Sequence, residues 1–187
     1  FVLIFAQVAH AGIYVEPFVG YTQGTTDTQT TVANGGVSAK LSSTAIPYGA
    51  EFGWIFGSGF RLGANLELAN VDLKNDSTGA TTKNSYMGTM LMFGYKFPQD
   101  IIGYAGVGSA TTTDDATPKT TTTGTVLKLG AHKKLINHVS AGAEYVLYTW
   151  SESTTEGSPA IKIMDFYEKY NSSAIQAVIR IPFGSEK

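Results

Sequence analysis

The chain has no cysteine, so it can hold no disulfide, no thiolate nucleophile and no thiolate metal site. Charge is also scarce. Asp, Glu, Lys and Arg make up 15% of the 187 residues, against about a quarter in ordinary soluble domains. The formal net charge of −2 gives no reason to expect nucleic acid as a partner. Histidine occurs only as His10, His132 and His138, without ligand spacing, so neither a metal nor a cofactor is expected. After Ala11 no stretch approaches the roughly 20 apolar residues of a membrane-spanning helix. A chain of this kind could cross a membrane only as a closed barrel of strands.

What is abundant is glycine, with 21 residues, and aromatic side chains at 12%. The length suits one domain. Phe1 to Ala11 reads FVLIFAQVAHA, an apolar run without alternation that ends in the small-x-small pattern cut by signal peptidase. Residues 1–11 are therefore expected to be a signal-peptide remnant, and residues 12–187 a single barrel domain.

The segment from Ile46 to Leu68 carries the clearest pattern. Ile46, Tyr48, Ala50, Phe52, Trp54 and Phe56 form one apolar parity, and Phe60, Leu62, Ala64, Leu66 and Leu68 continue it after Gly57, Ser58 and Gly59. The other parity holds Glu51, Arg61, Asn65, Glu67 and glycines. Side chains alternate across a strand, so each arm has one apolar and one polar or small face. Pairing Phe56 with Phe60 over a three-residue loop keeps apolar opposite apolar, whereas a two-residue loop would set apolar against charge at every rung. A glycine at the end of such a loop suits its left-handed position.

The same alternation recurs along the chain. Ile13 to Tyr21 is a first strand with Glu16 facing inward, and Pro17 predicts a bulge or a weak rung. Met87 to Phe97 is a fourth strand. Pro98, Gln99 and Asp100 turn it into a glycine-rich fifth, where pairing Phe97 with Ile101 sends Ala105 and Val107 outward and Tyr104 inward. Thr125 to Leu135 places Lys128 and His132 inside; Val139 to Tyr148 places Glu144 inside; Ile175 to Phe183 places Arg180 inside. The polar stretches Gln23 to Ser43, Lys74 to Lys83, Thr111 to Thr123 and Ser151 to Ser173 read as long loops.

Eight strands of about 9 to 11 residues result, enough to cross a hydrocarbon layer when tilted. Long connections alternate with short ones, as in an all-β, eight-stranded antiparallel up-and-down transmembrane β-barrel with short periplasmic turns and both termini periplasmic. A soluble lipocalin-like barrel would invert the faces. Trp54, Phe56, Phe60, Phe93, Tyr95, Phe97 and Phe183 gather near the short turns, as an aromatic girdle does.

On the strand GIYVEPFVGY, the repeated Gly-x-aromatic strands and the terminal strand AIQAVIRIPF, the chain from Gly12 onward resembles the eight-stranded bacterial outer-membrane β-barrel family that includes the OmpA transmembrane domain and the OmpX and Ail-type proteins. The terminal strand is similar to the signal read by the barrel-assembly machinery, although in that family the signal usually ends on the aromatic and here Gly184 to Lys187 follow Phe183. The resemblance implies a non-enzymatic protein of the Gram-negative outer membrane. Its partners would be outer-membrane lipid and lipopolysaccharide, the assembly machinery during biogenesis, and an extracellular protein or other surface ligand. It also allows an adhesin or host- or prey-interaction role of the Ail/OmpX type.

Glu16, Glu51, Glu67 and Glu144 face inward with Arg61, Lys128 and Arg180. So narrow a barrel is filled by side chains, and these charges must pair. They read as a polar plug, with a gated ion path as the alternative. In this register Glu144 lies opposite Gly130, diagonal to Lys128 and His132. His138, Ser140 and Glu152 resemble the catalytic set of lipid A deacylase barrels, but His138 and Glu152 fall at opposite ends of one strand, roughly 45 Å apart at 3.3 Å per residue. No catalysis is expected. Asp114 and Asp115 read as a solvated acidic pair rather than a calcium site. Ile163, Phe166, Tyr167 and Tyr170 fall at helical spacing in the last loop. They are the candidate surface-interaction residues, either packed over the barrel mouth or presented as an adhesive patch.

Overall fold

The computed structural model describes residues 12–136 and 138–184. The expected signal remnant, residues 1–11, lies outside the described residues. So do Asn137 in the last tight turn and the end of the chain after Gly184.

The strands are β1 (Gly12–Thr30), β2 (Ser38–Ala45), β3 (Tyr48–Ile55), β4 (Phe60–Asn75), β5 (Thr81–Phe97), β6 (Ile101–Asp114), β7 (Thr120–Ile136), β8 (Val139–Thr155), β9 (Ile161–Lys162), β10 (Tyr167–Arg180) and β11 (Phe183–Gly184), with one α-helical turn, α1 (Ile163–Phe166), and 3-10 turns at Val32–Asn34 and Pro98–Asp100. β2 and β3 make one arm. Both pair with β1 on one side and β4 on the other, and β10 pairs with β8 and β1, so eight arms close an antiparallel ring. The arm breaks at Ile46 and Pro47 because proline donates nothing to a ladder. The register nevertheless continues through the break, from Thr22 opposite Ala45 to Val19 opposite Tyr48, and the Gly20 N–H still reaches the Pro47 carbonyl at 2.8 Å.

The faces are those the alternation predicts. Ile13, Phe52, Trp54, Leu91, Val107, Ile175 and Ile179 are half-exposed or more, while Glu16, Arg61, Lys128, Glu144 and Arg180 are buried in the lumen. The apolar parity is thus the outer wall and the charged parity the packed interior. No helix among the described residues is long and apolar enough to cross a membrane; the crossing is made by strands. Two of the tight turns follow the expected register. Phe56 and Phe60 close the first over Gly57 to Gly59, with Gly59 at φ +84°, and Phe97 pairs with Ile101 in the second. Of the two outcomes expected at Pro17, the weak rung is found. The ladder of β1 with the closing arm runs to Phe18 opposite Arg180 and resumes at Val15 opposite Phe183, and across Pro17 only the Ile181 N–H bonds its carbonyl, at 2.9 Å. The ladder with β3 passes Pro17 without a shift.

The four long loops need correction. Most of Gln23 to Ser43 is strand, and only residues 31–37 connect β1 to β2; the second and third connections shrink to residues 76–80 and 115–119, and the fourth, expected over Ser151 to Ser173, lies between Thr155 and Tyr167. The strands of the unbroken arms accordingly run 14 to 19 residues rather than 9 to 11. The cause is threonine. It has strand propensity, and its hydroxyl pairs across rungs, so a Thr tract builds a ladder with no polarity contrast between faces. Thr111, Thr112 and Thr113 stand opposite Thr123, Thr122 and Thr121, and the hydroxyls of Thr113 and Thr121 lie 3.1 Å apart. The barrel therefore projects beyond its apolar belt at the long-loop end.

Candidate functional site

The inward charges are supplied by six strands, and the ring brings all seven expected side chains into one network. Lys128 on β7 donates to Glu67 on β4 and, at 2.8 Å, meets Glu144 on β8. Arg180 on β10 binds Glu144 at 2.6 Å and Glu51 on β3 at 3.0 Å. Arg61 on β4 binds Glu16 on β1 at 2.6 Å, and Glu16 also lies 3.7 Å from Arg180. The path Glu67, Lys128, Glu144, Arg180, then Glu51 and Glu16, and finally Arg61 alternates in sign from one wall of the barrel to the other.

Four carboxylates face three cations in this path. The excess negative charge is met by phenols, with the Tyr14 hydroxyl donating to Glu51 at 2.6 Å and the Tyr104 hydroxyl to Glu144 at 2.5 Å. Aromatic rings cover the cations as well. The Arg61 guanidinium lies 3.9 Å from the centre of Tyr14, and Arg180 lies 5.1 Å from Phe18 and 4.9 Å from Tyr104. Guanidinium over an aromatic face is an attractive contact, stronger where water is excluded. Pairing Phe97 with Ile101 places Tyr104 inward, but strand parity alone does not join Tyr14, Phe18 and Tyr104 to the charges. The available signal was a ring on the charged parity of a strand.

His132 is buried with its ring 5.5 Å from Tyr104 and takes no part in the ion pairs, although it lies diagonal to Glu144 as the register predicted. Lys96 pairs with Asp100 at 3.3 Å near the tight turn. At the height of the network Arg180, Lys128, Tyr14 and Met92 are among the largest fully buried side chains, so the lumen there is packed solid. Two cavities flank the plug. One, of about 280 Å³ at the tight-turn end, is bounded by Glu16 and Tyr14; the other, of about 120 Å³ towards the long loops, has Glu67 in its floor.

The last loop is only partly helical. Ile163 and Phe166 lie in α1, but Tyr167 and Tyr170 begin β10. Ile163 is buried, while the rings of Phe166, Tyr167 and Tyr170 follow one another at 5.0 Å and bound a cavity of about 280 Å³ with Thr112, Thr122 and Ser153. These side chains roof the barrel mouth. Asp114 accepts the Thr120 N–H at 2.8 Å, so one of its oxygens closes its own loop.

His138 and Ser140 border the cavity at the tight-turn end, but Glu152 does not join them. Ser140 is buried near the tight turn, His138 is exposed in it, and Glu152 sits at the far end of β8, where a bulge at Ser151 turns it outward. Among the described residues no group of acidic or histidine side chains is placed to hold a metal ion.

No family model and no curated protein matches the sequence. Solved structures do match the fold. Neisserial surface protein A aligns with 91% of this chain and 97% of its own at 14% identity and a TM-score of 0.51. Ail, the attachment invasion locus protein of Yersinia pestis, solved with the heparin analogue sucrose octasulfate, aligns with 93% of this chain and 99% of its own at 9% identity and a TM-score of 0.54. The fold is that of the eight-stranded outer-membrane barrels. At these identities the likeness concerns the backbone, and the lumen network and the mouth are described from this chain's own side chains.

Proposed function

We propose that this is a non-catalytic outer-membrane barrel that contributes to envelope structure, presents its long-loop end for surface recognition and keeps both termini in the periplasm. The supporting observation is the solid ion-paired plug inside an apolar-walled ring. It leaves the lumen no room for transport at its centre, and Glu152 lies at the far end of β8 from His138 and Ser140. The orientation rests on the general rule that outer-membrane barrels put short turns on the periplasmic side. The wall then meets outer-membrane lipid and lipopolysaccharide, and the strand ending at Arg180 with Phe183 beyond it serves the assembly machinery. Outer-membrane extraction followed by electrophoresis with and without boiling tests this reading. Faster migration of the unboiled protein and silent planar bilayers are expected; recovery in the soluble periplasmic fraction would overturn it.

A second reading, surface adhesion, has an observation of its own. Val32 and Val37 in the first long loop are 82% and 63% exposed, and Met164 in the last is 65% exposed. The two loops meet, because the Thr31 N–H bonds the Phe166 carbonyl at 3.0 Å. Apolar side chains so placed at a loop tip suit a protein or cell-surface partner. Bacteria displaying the chain should adhere to cultured epithelial cells or immobilised heparin, and Val32→Ser with Met164→Ser should reduce that adherence. Unchanged adherence would remove the apolar tip from consideration.

A further inference from the structure

We propose that the lumen chamber above the plug binds a small, neutral aromatic molecule bearing one hydroxyl, of which phenol is the simplest. The chamber exists because small side chains, Ala69 on β4 and Ala174 on β10, face large ones on β5 and β8 where a leucine-sized residue would have filled the space. Its volume of about 120 Å³ is comparable to the engineered apolar cavity of about 150 Å³ that accepts benzene. One six-membered ring is therefore the right size.

The walls select for an aromatic ring. Tyr148 and Trp150 stack in parallel with centres 5.5 Å apart and planes 4° apart, and Tyr86 meets Tyr148 edge-on at 5.9 Å. A further ring adds to this array by stacking or by edge contact. The polar lining defines the rest. The Trp150 indole N–H is committed to Ser172 at 3.0 Å, and Ser172 to Thr26 at 2.9 Å. The Glu67 carboxylate in the floor is engaged by Lys128, so the floor carries no unpaired charge and a charged ligand would find no counter-ion. Three polar atoms of the lining have no hydrogen-bond partner in the protein: the Tyr86 hydroxyl, Asn84 Oδ1 towards the mouth, and Thr22 Oγ1 on β1, whose residue is 8% exposed. The Thr22 hydroxyl can donate to, or accept from, one ligand hydroxyl, and Asn84 Oδ1 can only accept. Access comes from the long-loop end, since Tyr170, Asn84 and Thr122 border both this chamber and the cavity under the last loop.

The full chain, folded in lipid nanodiscs, can be titrated with para-fluorophenol and with fluorobenzene by fluorine NMR. Saturable binding of both is expected, tighter for the phenol. Ala69→Leu, which fills the chamber, should abolish saturable binding of both. Thr22→Val should weaken para-fluorophenol about tenfold, the effect of losing one buried hydrogen bond, and leave fluorobenzene unchanged. Absence of saturable binding, or equal binding by wild type and Ala69→Leu, would overturn the proposal. Should Ala69→Leu not fold, the Thr22→Val comparison still decides, because equal weakening of both probes would remove the hydroxyl assignment and with it the proposed ligand class.

Discussion

Lys128 on β7 donates to Glu67 on β4, two strands that share no ladder. The bond therefore spans the lumen and ties together walls that strand pairing alone leaves independent. Lys128 also holds Glu144, which is itself held by Arg180, so one ammonium carries the junction between the two halves of the network.

Removing that ammonium strands a buried carboxylate. Lys128→Met is expected to destabilise the barrel by about 3–5 kcal/mol, the usual cost of breaking one side of a buried pair. Adding Glu67→Leu should recover a large part of the loss, because the charge left without a partner goes too. The midpoint of urea unfolding in lipid vesicles measures both. A double variant that loses the sum of the two single losses would show that the pair is not coupled.

The outer wall responds to depth. Phe52 is 54% exposed midway along the apolar face of β3, and Phe52→Arg should cost about 2–4 kcal/mol. Thr25, on the same outward face of the barrel but above the aromatic Tyr21, stands where the wall is already polar, and Thr25→Arg should stay within about 1 kcal/mol of wild type. Equal losses in vesicle unfolding would mean that the belt extends as far as Thr25.

The two halves of the barrel differ in how far the sequence reveals them. Around Phe52, Trp54 and Phe93 the apolar and polar parities contrast at most residues, with Ile55, Met90 and Met92 the exceptions on the inward parity, and that contrast fixed the facing, the strand count and two of the turn registers. Around Thr111 to Thr123 both parities carry hydroxyls, and nothing in the pattern separates a strand from a loop although the rungs are fully formed. The lumen charges were legible as inward-facing, because parity places them there. Their partners were not, beyond the adjacent Lys128 and Glu144, because contacts such as Lys128 to Glu67 depend on how the ring closes. Thr22 and the chamber above the plug were invisible for the same reason: a void depends on which small and large residues meet across the lumen.

The first tight turn isolates a backbone effect. Gly59 sits at φ +84°, a conformation that places a Cβ against the backbone, whereas Gly57 beside it has open space and no such angle. Gly59→Ala should destabilise by about 1 kcal/mol and Gly57→Ala by a few tenths at most. Vesicle unfolding of the two variants separates turn conformation from mere loss of glycine, and equal effects would contradict the left-handed assignment.

Lipid chemistry provides a test of the non-catalytic reading. A serine hydrolase needs its base within hydrogen-bond reach of the nucleophile and an acid orienting the base. Ser140 is buried inside the tight-turn end of β8, while Glu152 lies twelve residues along the same strand, about 40 Å away at 3.4 Å per residue, and faces outward. His138 is exposed in the turn on the far side of the plug from the long loops. A nucleophile there would also sit at the tight-turn end, away from the leaflet that carries lipopolysaccharide in the proposed orientation. Expression of the wild type and of Ser140→Ala should give identical lipid A mass spectra, both matching cells without the protein. Loss of an acyl chain with the wild type and its return with Ser140→Ala would establish catalysis and overturn both the orientation and the structural role.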